Sequence, residues 1–141
     1  MNIELKVTVG DLQGKMQLTG KGHSGHTVAI DYTQPLGEDK GFTPLELLMV
    51  SLAGCSGHTL QFLLGKMGKP LSKLEVHAIG DRRMDAHPTV LTSIELQFTL
   101  AGNGLDAASV EKALKMAEET YCPVWALLKN TVAVSWKYTI N

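Results

Sequence analysis

The sequence predicts an α+β fold in the order βββ-α-ββ-αα-β, with antiparallel sheets packed around a long central helix. Three observations point to it. Short segments of alternating polar and apolar residues open the chain, fill its middle and close it. One long apolar segment, 43–68, carries strong helix start and stop signals. An amphipathic helical stretch followed by a Pro-initiated turn separates the last two strands. The 141 residues read as a single domain, 1–141, long enough to bury a substantial core. It divides into an N-terminal β-meander (1–34), the central helix (43–68) and a C-terminal α+β part (71–141).

In the first strand Ile3, Leu5, Val7 and Val9 alternate with Glu4, Lys6 and Thr8, the period-2 pattern of a half-buried strand. The turn GDLQG leads to a second strand over 15–20, and GHSG leads to a third in HTVAIDY. TQPLGEDKG is a loop of turn formers. The central helix begins with Thr43 as N-cap, Pro44 in the first turn and Glu46 at the position that completes a capping box. Gly65 and Gly68, with Pro70 beyond, end it. Its apolar residues lie on nearly every face, so other elements must wrap it. SKLEVHAIGDRRM is a strand, and Val90 to Leu100 a second, with Val90, Thr92, Ile94, Leu96, Phe98 and Leu100 on one face. Leu105 to Tyr121 forms an amphipathic helix with Val110, Ala113, Leu114, Ala117 and Tyr121 on its apolar stripe. CPVWALLKN is a short helix with Cys122 at its N-cap, and Val132 to Ile140 is the final strand.

Composition excludes several classes. Apolar residues make up 44% and charged residues 19%, a globular balance. Thirteen basic residues against 14 acidic ones, with no basic block, exclude a nucleic-acid partner. The alternating N-terminus lacks the basic start and continuous apolar run of a signal peptide, so a cytoplasmic location is expected. The longest apolar span, Leu45 to Leu64, is interrupted by Glu46, His58 and Gln61, which makes it a core helix with no membrane partner.

The two cysteines carry the chemistry. Cys55 lies inside the central helix in LAGCSGHT, among Ala53, Gly54, Ser56 and Gly57. Glycine in a helix interior costs about 1 kcal/mol relative to alanine, so this small-residue patch has a purpose. It either opens a notch around a reactive thiol or allows close packing at a dimer interface. His58, at i+3 on nearly the same face, is a side chain that can favour the thiolate. Cys122, followed by Pro123, sits at a helix start, where free amides and the dipole lower a thiol's pKa. A pair of thiols can run a cycle of sulfenic acid and disulfide; two buried thiols acting as small hydrophobes are the alternative. Glu46 is explained by the capping box, and can also order an active-site cation. A metal site is a weaker reading, since Cys55 with His58 and His23 with His26 are loose pairs without zinc-site spacing. No cofactor motif is present.

TPLELLMVSLAGCSGH and YCPVWALL, taken together, resemble the OsmC/Ohr family, the osmotically inducible and organic hydroperoxide resistance proteins. The likeness covers most of the chain. It implies an intertwined homodimer with active sites at the subunit interface, and thiol-dependent reduction of organic hydroperoxides in oxidative stress defence. Cys55 then corresponds to the peroxidatic residue and Cys122 to the resolving one, the disulfide being reduced by a dithiol. The chain departs from the family's peroxidases at two points. Leu45, not glutamate, follows Pro44, and Glu46 comes one position later. No arginine precedes Arg82; Lys15 and Lys21 are the only nearby cations on the strands where the family's arginine is expected. Arg82 or Arg83 is the remaining candidate for a supporting guanidinium. The expected function is a cytoplasmic hydroperoxide reductase. A non-enzymatic redox sensor or small-molecule binding protein of the same fold is the first rival, and a metal-binding protein through Cys55, His58 and Cys122 the second.

Overall fold

A computed structural model describes every residue except Asp11 and Met16. The predicted turn GDLQG and the predicted start of the second strand each include one of these two positions, which lie outside the described residues. The chain forms two compact units, residues 1–48 and 49–141, and helix α1 runs through the boundary between them.

The first unit is an antiparallel meander of β1 (Leu5–Val9), β2 (Leu18–Gly22) and β3 (Thr27–Ile30). Register pairs Val7 with Gly20 and Gly20 with Val28, so Leu5, Val7, Val28 and Ile30 share one apolar face. That face floors a cleft of about 330 Å³, closed at one end by Leu47. The loop after β3 is anchored on Asp31, a buried side chain whose carboxylate accepts amides from Tyr32, Glu38 and Lys40 at 2.8, 3.1 and 3.1 Å. Burial pushes this carboxyl up, but the amides of Lys40, Tyr32 and Glu38 and the nearby Lys40 charge outweigh it and hold it below its ordinary value. Gly37 is required here, because a Cβ would lie 2.1 Å from the Tyr32 carbonyl oxygen.

Helix α1 (Pro44–Lys66) starts as its sequence predicts. The Thr43 amide donates to Glu46 Oε2 at 2.8 Å, and the Glu46 amide to Thr43 Oγ1 at 3.3 Å, a complete capping box. Gly68, at φ +73°, ends it, with the Lys69 amide donating to the Leu64 carbonyl. By length and composition α1 could cross a membrane; its inner face, however, contributes Leu52, Leu60, Leu63 and Leu64 to the buried core.

The second unit carries a three-stranded sheet in the order β4-β5-β6, with β4 (Lys73–Arg82) antiparallel and β6 (Ala133–Ile140) parallel to β5 (Leu91–Ala101). The parallel pair requires a crossover, which α2 (Ala107–Met116), a π-helical turn (Ala117–Tyr121) and α3 (Pro123–Leu128) supply. Asp106 caps α2 by accepting the Ser109 amide. Ile94, Leu96, Phe98 and Leu100 of β5 are buried with Val110, Ala113, Leu114 and Trp125. A register shift at Asp81/Arg82 corrects the predicted face of β5: Leu91 is buried, whereas Val90 and Thr92 are exposed. A bulge adds one residue to one strand, which reverses the alternation beyond it.

Candidate active site

Helix α1 presents Cys55 one position before the buried pair Ser56 and Gly57. Gly57 is a packing glycine, since a Cβ there would meet Val76 Cγ2 of β4 at 3.1 Å. Gly54 is different: a Cβ there would meet nothing within 4 Å. Two hydroxyls here bond back to the helix's own carbonyls, Ser56 to Ala53 and Thr59 to Cys55. Cys55 itself is half-buried.

Cys122 reaches the same place from the crossover. Its amide donates to the Ala117 carbonyl at 2.9 Å, the i to i−5 bond that closes the π-helical turn. The next residue, Pro123, has no amide hydrogen and opens α3. One extra residue in the turn shifts the phase of the chain. Tyr121, expected on the apolar stripe of α2, is 54% exposed, and Cys122 is 1% exposed.

Both thiols are free, and the Cys122 side chain lies near enough to Cys55 to feel it electrostatically. The pair that sequence separates by 67 positions is thus brought into one neighbourhood. Burial, first, and then the neighbouring Cys55 push the Cys122 thiol up to about 11. Amides of Trp125 and Val124 at the start of α3 oppose the shift without overcoming it. The expectation that the helix start lowers this thiol is therefore corrected: loss of hydration outweighs the local amide field.

The remaining candidates take other partners. Glu46 is engaged in the cap of α1. Lys15 Nζ donates to the Pro35 carbonyl at 3.0 Å and to Gln34 Oε1 at 3.3 Å. Arg82 holds the β4–β5 hairpin, donating from Nε to the Thr89 carbonyl at 2.7 Å and from Nη2 to Thr89 Oγ1 at 2.5 Å; Arg83 donates to the Pro88 carbonyl. His58 is exposed and lines two clefts along α1. One, of about 460 Å³, includes Gln61, Phe62 and Lys66; the other, of about 410 Å³, includes Val50, Gly54 and Val76. Neither lining includes Cys55. Among the described residues no three His, Cys, Asp or Glu side chains gather as a metal cage.

Sequence reasoning missed two features. The π-helical turn has no compositional signature in AEETY. Trp125, wholly buried, is the one described residue whose buried polar side-chain atom, Nε1, has no hydrogen-bond partner, a state that typically costs about 1–3 kcal/mol.

A family model described as OsmC-like protein matches residues 37–137, a span that holds both cysteines. The chain belongs to the OsmC-like family. Among curated proteins, Protein YhfA of Escherichia coli K12 is 30% identical over 121 residues, covering 86% of this chain and 87% of YhfA. An OsmC-like protein from Mycoplasma pneumoniae shares the fold at TM-score 0.84 and 17% identity, over 99% of this chain and 97% of that one. An organic hydroperoxide resistance protein from Elizabethkingia anophelis does so at TM-score 0.77 and 16% identity, over 100% and 97%. The α+β architecture, two small sheets and a long helix, is thus shared with these two solved structures.

Proposed function

We propose that this OsmC-like chain is a thiol-dependent reductase of organic hydroperoxides, cytoplasmic and active as a homodimer. The observation that supports the reading most is the proximity of a half-buried Cys55 to a buried Cys122, each felt by the other electrostatically. Membership of a family with structural neighbours named for organic hydroperoxide resistance supports the substrate class.

The two thiols divide the work. The Cys55 thiolate attacks the terminal peroxide oxygen, the O–O bond breaks, and the alkoxide leaves, taking from water the proton Cys55 released on ionising, to become the alcohol. Cys55 is then a sulfenic acid. The Cys122 sulfur attacks the Cys55 sulfur; hydroxide leaves and takes the Cys122 proton as water, and a disulfide remains. Two electrons from a dithiol restore the pair. A Cys122 thiol held near 11 is protonated at neutral pH, so it acts second, once its neighbour is electrophilic.

The rival reading, a redox sensor or binding protein without turnover, draws support from the cations. Arg82, Arg83 and Lys15 all have partners elsewhere, so none of them is free to order a thiolate. Turnover separates the two readings. With cumene hydroperoxide and dihydrolipoamide we expect multiple turnovers, faster than with hydrogen peroxide, with loss of two thiols per chain and no activity in Cys55→Ser. Oxidation of Cys55 at the rate of an ordinary free thiol would sink the enzymatic reading.

A further inference from the structure

The π-helical turn that carries Cys122 inward is short of its own hydrogen bonds. The Cys122 amide goes to the Ala117 carbonyl, and Pro123, one residue on, has no amide hydrogen. The Glu118 carbonyl, which those two amides would otherwise meet, accepts from Lys129 Nζ at the C-cap of α3, at 3.4 Å. The Glu118 side chain is held by β6: its Oε2 accepts from Trp136 Nε1 at 3.1 Å. Both residues are half-buried, where a hydrogen bond to a carboxylate is stronger than in open water. Trp136 pairs in register with Leu96, which is wholly buried. Residues paired across a sheet share a face, so the indole stands on the core side.

About two turns earlier, Glu111 makes a matching bond, accepting from the Tyr138 hydroxyl at 2.7 Å. Trp136 and Tyr138 are neighbours on one face of β6, their ring centroids 6.3 Å apart. The crossover is thus tied to β6 at these two points. The tie at Glu111 lies in α2, and the tie at Glu118 lies in the turn that leads to Cys122.

We propose that Glu118 is a positioning residue of the cysteine pair: its bond to Trp136 Nε1 pins the π-helical turn on β6 and so fixes where the Cys122 sulfur lies relative to Cys55. This rests on the reading that the two thiols form a disulfide, and requires neither peroxide as oxidant nor any particular reductant. The effect passes through the backbone, because Ala117, whose carbonyl holds the Cys122 amide, directly precedes Glu118. Disulfide closure tolerates little error, since the two Cβ atoms must come within roughly 3.5–4.5 Å. A misplacement of about 1 Å can cost on the order of a hundredfold in such oriented reactions. A turn released from β6 therefore lowers the effective concentration of one thiol toward the other while the domain stays folded.

The test measures that effective concentration in the whole chain. The reduced protein is equilibrated with mixtures of oxidised and reduced glutathione, quenched in acid, alkylated and weighed. In this exchange the two protein thiols give two electrons and two protons to one oxidised glutathione, which becomes two reduced ones. Circular dichroism and denaturant titration establish that each variant is folded. Glu118→Ala and Trp136→Phe should each lower the equilibrium constant about tenfold or more. The double variant should fall no further than either alone, as expected for two partners of one bond. Glu118→Gln, which keeps an acceptor oxygen for the indole, should recover most of the loss. Glu111→Ala removes the comparable bond from α2; it should lower stability yet leave the constant within about twofold of wild type. A wild-type constant in Glu118→Ala and Trp136→Phe overturns the proposal. So does an equal loss in Glu111→Ala, which would mark a general weakening of the crossover. If the wild type forms no disulfide, the pairing itself is wrong and the proposal falls with it. The expected constants without peroxide turnover would remove the enzymatic reading and still support the role of Glu118.

Discussion

At the scale of single residues, Cys122 shows how burial can outweigh a helix start. Its burial, first, and then the neighbouring Cys55 favour the protonated form. The sign for stability follows. A folded-state pKa raised above the unfolded one stabilises the protein fully below the unfolded value of 9.0, and that contribution is lost as pH rises toward about 11. Thiolate absorbance in the wild type should therefore reveal one cysteine ionising near 11. In Cys55→Ala the midpoint should fall but stay above the ordinary value, because burial is the leading cause. The stability advantage of wild type over Cys122→Ala in denaturant titrations should shrink between pH 9 and 11. A Cys122 midpoint at or below the ordinary cysteine value would show that the amides of α3 dominate instead.

At the scale of elements, the π-helical turn is what brings Cys122 inward. Residues 107–116 follow a normal helical phase, with Val110, Ala113 and Leu114 buried. An unbroken helix through Tyr121 would keep Tyr121 on that stripe. The i to i−5 bond from Cys122 to Ala117 accommodates one extra residue and turns the next position into the core. Deleting Thr120, an exposed residue of the turn, should restore α phase and rotate Cys122 away from Cys55. Circular dichroism should change little, while the yield of intramolecular disulfide with diamide should fall at least about tenfold, in keeping with the steep dependence of such reactions on geometry. Full disulfide yield in the deletion variant would show that α3 places the sulfur without the turn.

The same elements show what the sequence could reveal. The order of strands and helices was legible because alternation, the capping box at Thr43 and Glu46, and Gly68 are local signals, and each is realised in the structure. Both cysteines stood out by their neighbours. The bulge at Asp81/Arg82 and the π-helical turn were not legible, because each is a register choice fixed by tertiary packing. The faces of Thr92 and Tyr121 were misjudged for that reason. Arg82 looked available as a loose guanidinium, and only the folded hairpin shows its bonds to Thr89.

At the scale of the whole molecule, the apolar surface of the single chain argues for self-association. On α1 alone, Val50 is 50% and Phe62 58% exposed. Gly54 adds an independent indication. It sits mid-helix at a cost of about 1 kcal/mol relative to alanine, yet nothing in its own chain comes within 4 Å of a Cβ there. A mid-helix glycine with no internal packing reason fits a surface that approaches α1 from another copy. Light scattering should therefore show a dimer, burying more than about 1,200 Å² in total if it is to be stable. Phe62→Glu should dissociate it by placing a charge within the apolar stripe. Gly54→Ala gives the sharper result. In a monomer the substitution should raise stability by up to about 1 kcal/mol through helix propensity alone. In a dimer packed on this face it should weaken association, and make the melting temperature depend more steeply on protein concentration. A monomeric wild type, stabilised by Gly54→Ala at every concentration, would remove the dimer from the proposed function and leave the cysteine pair to act within one chain.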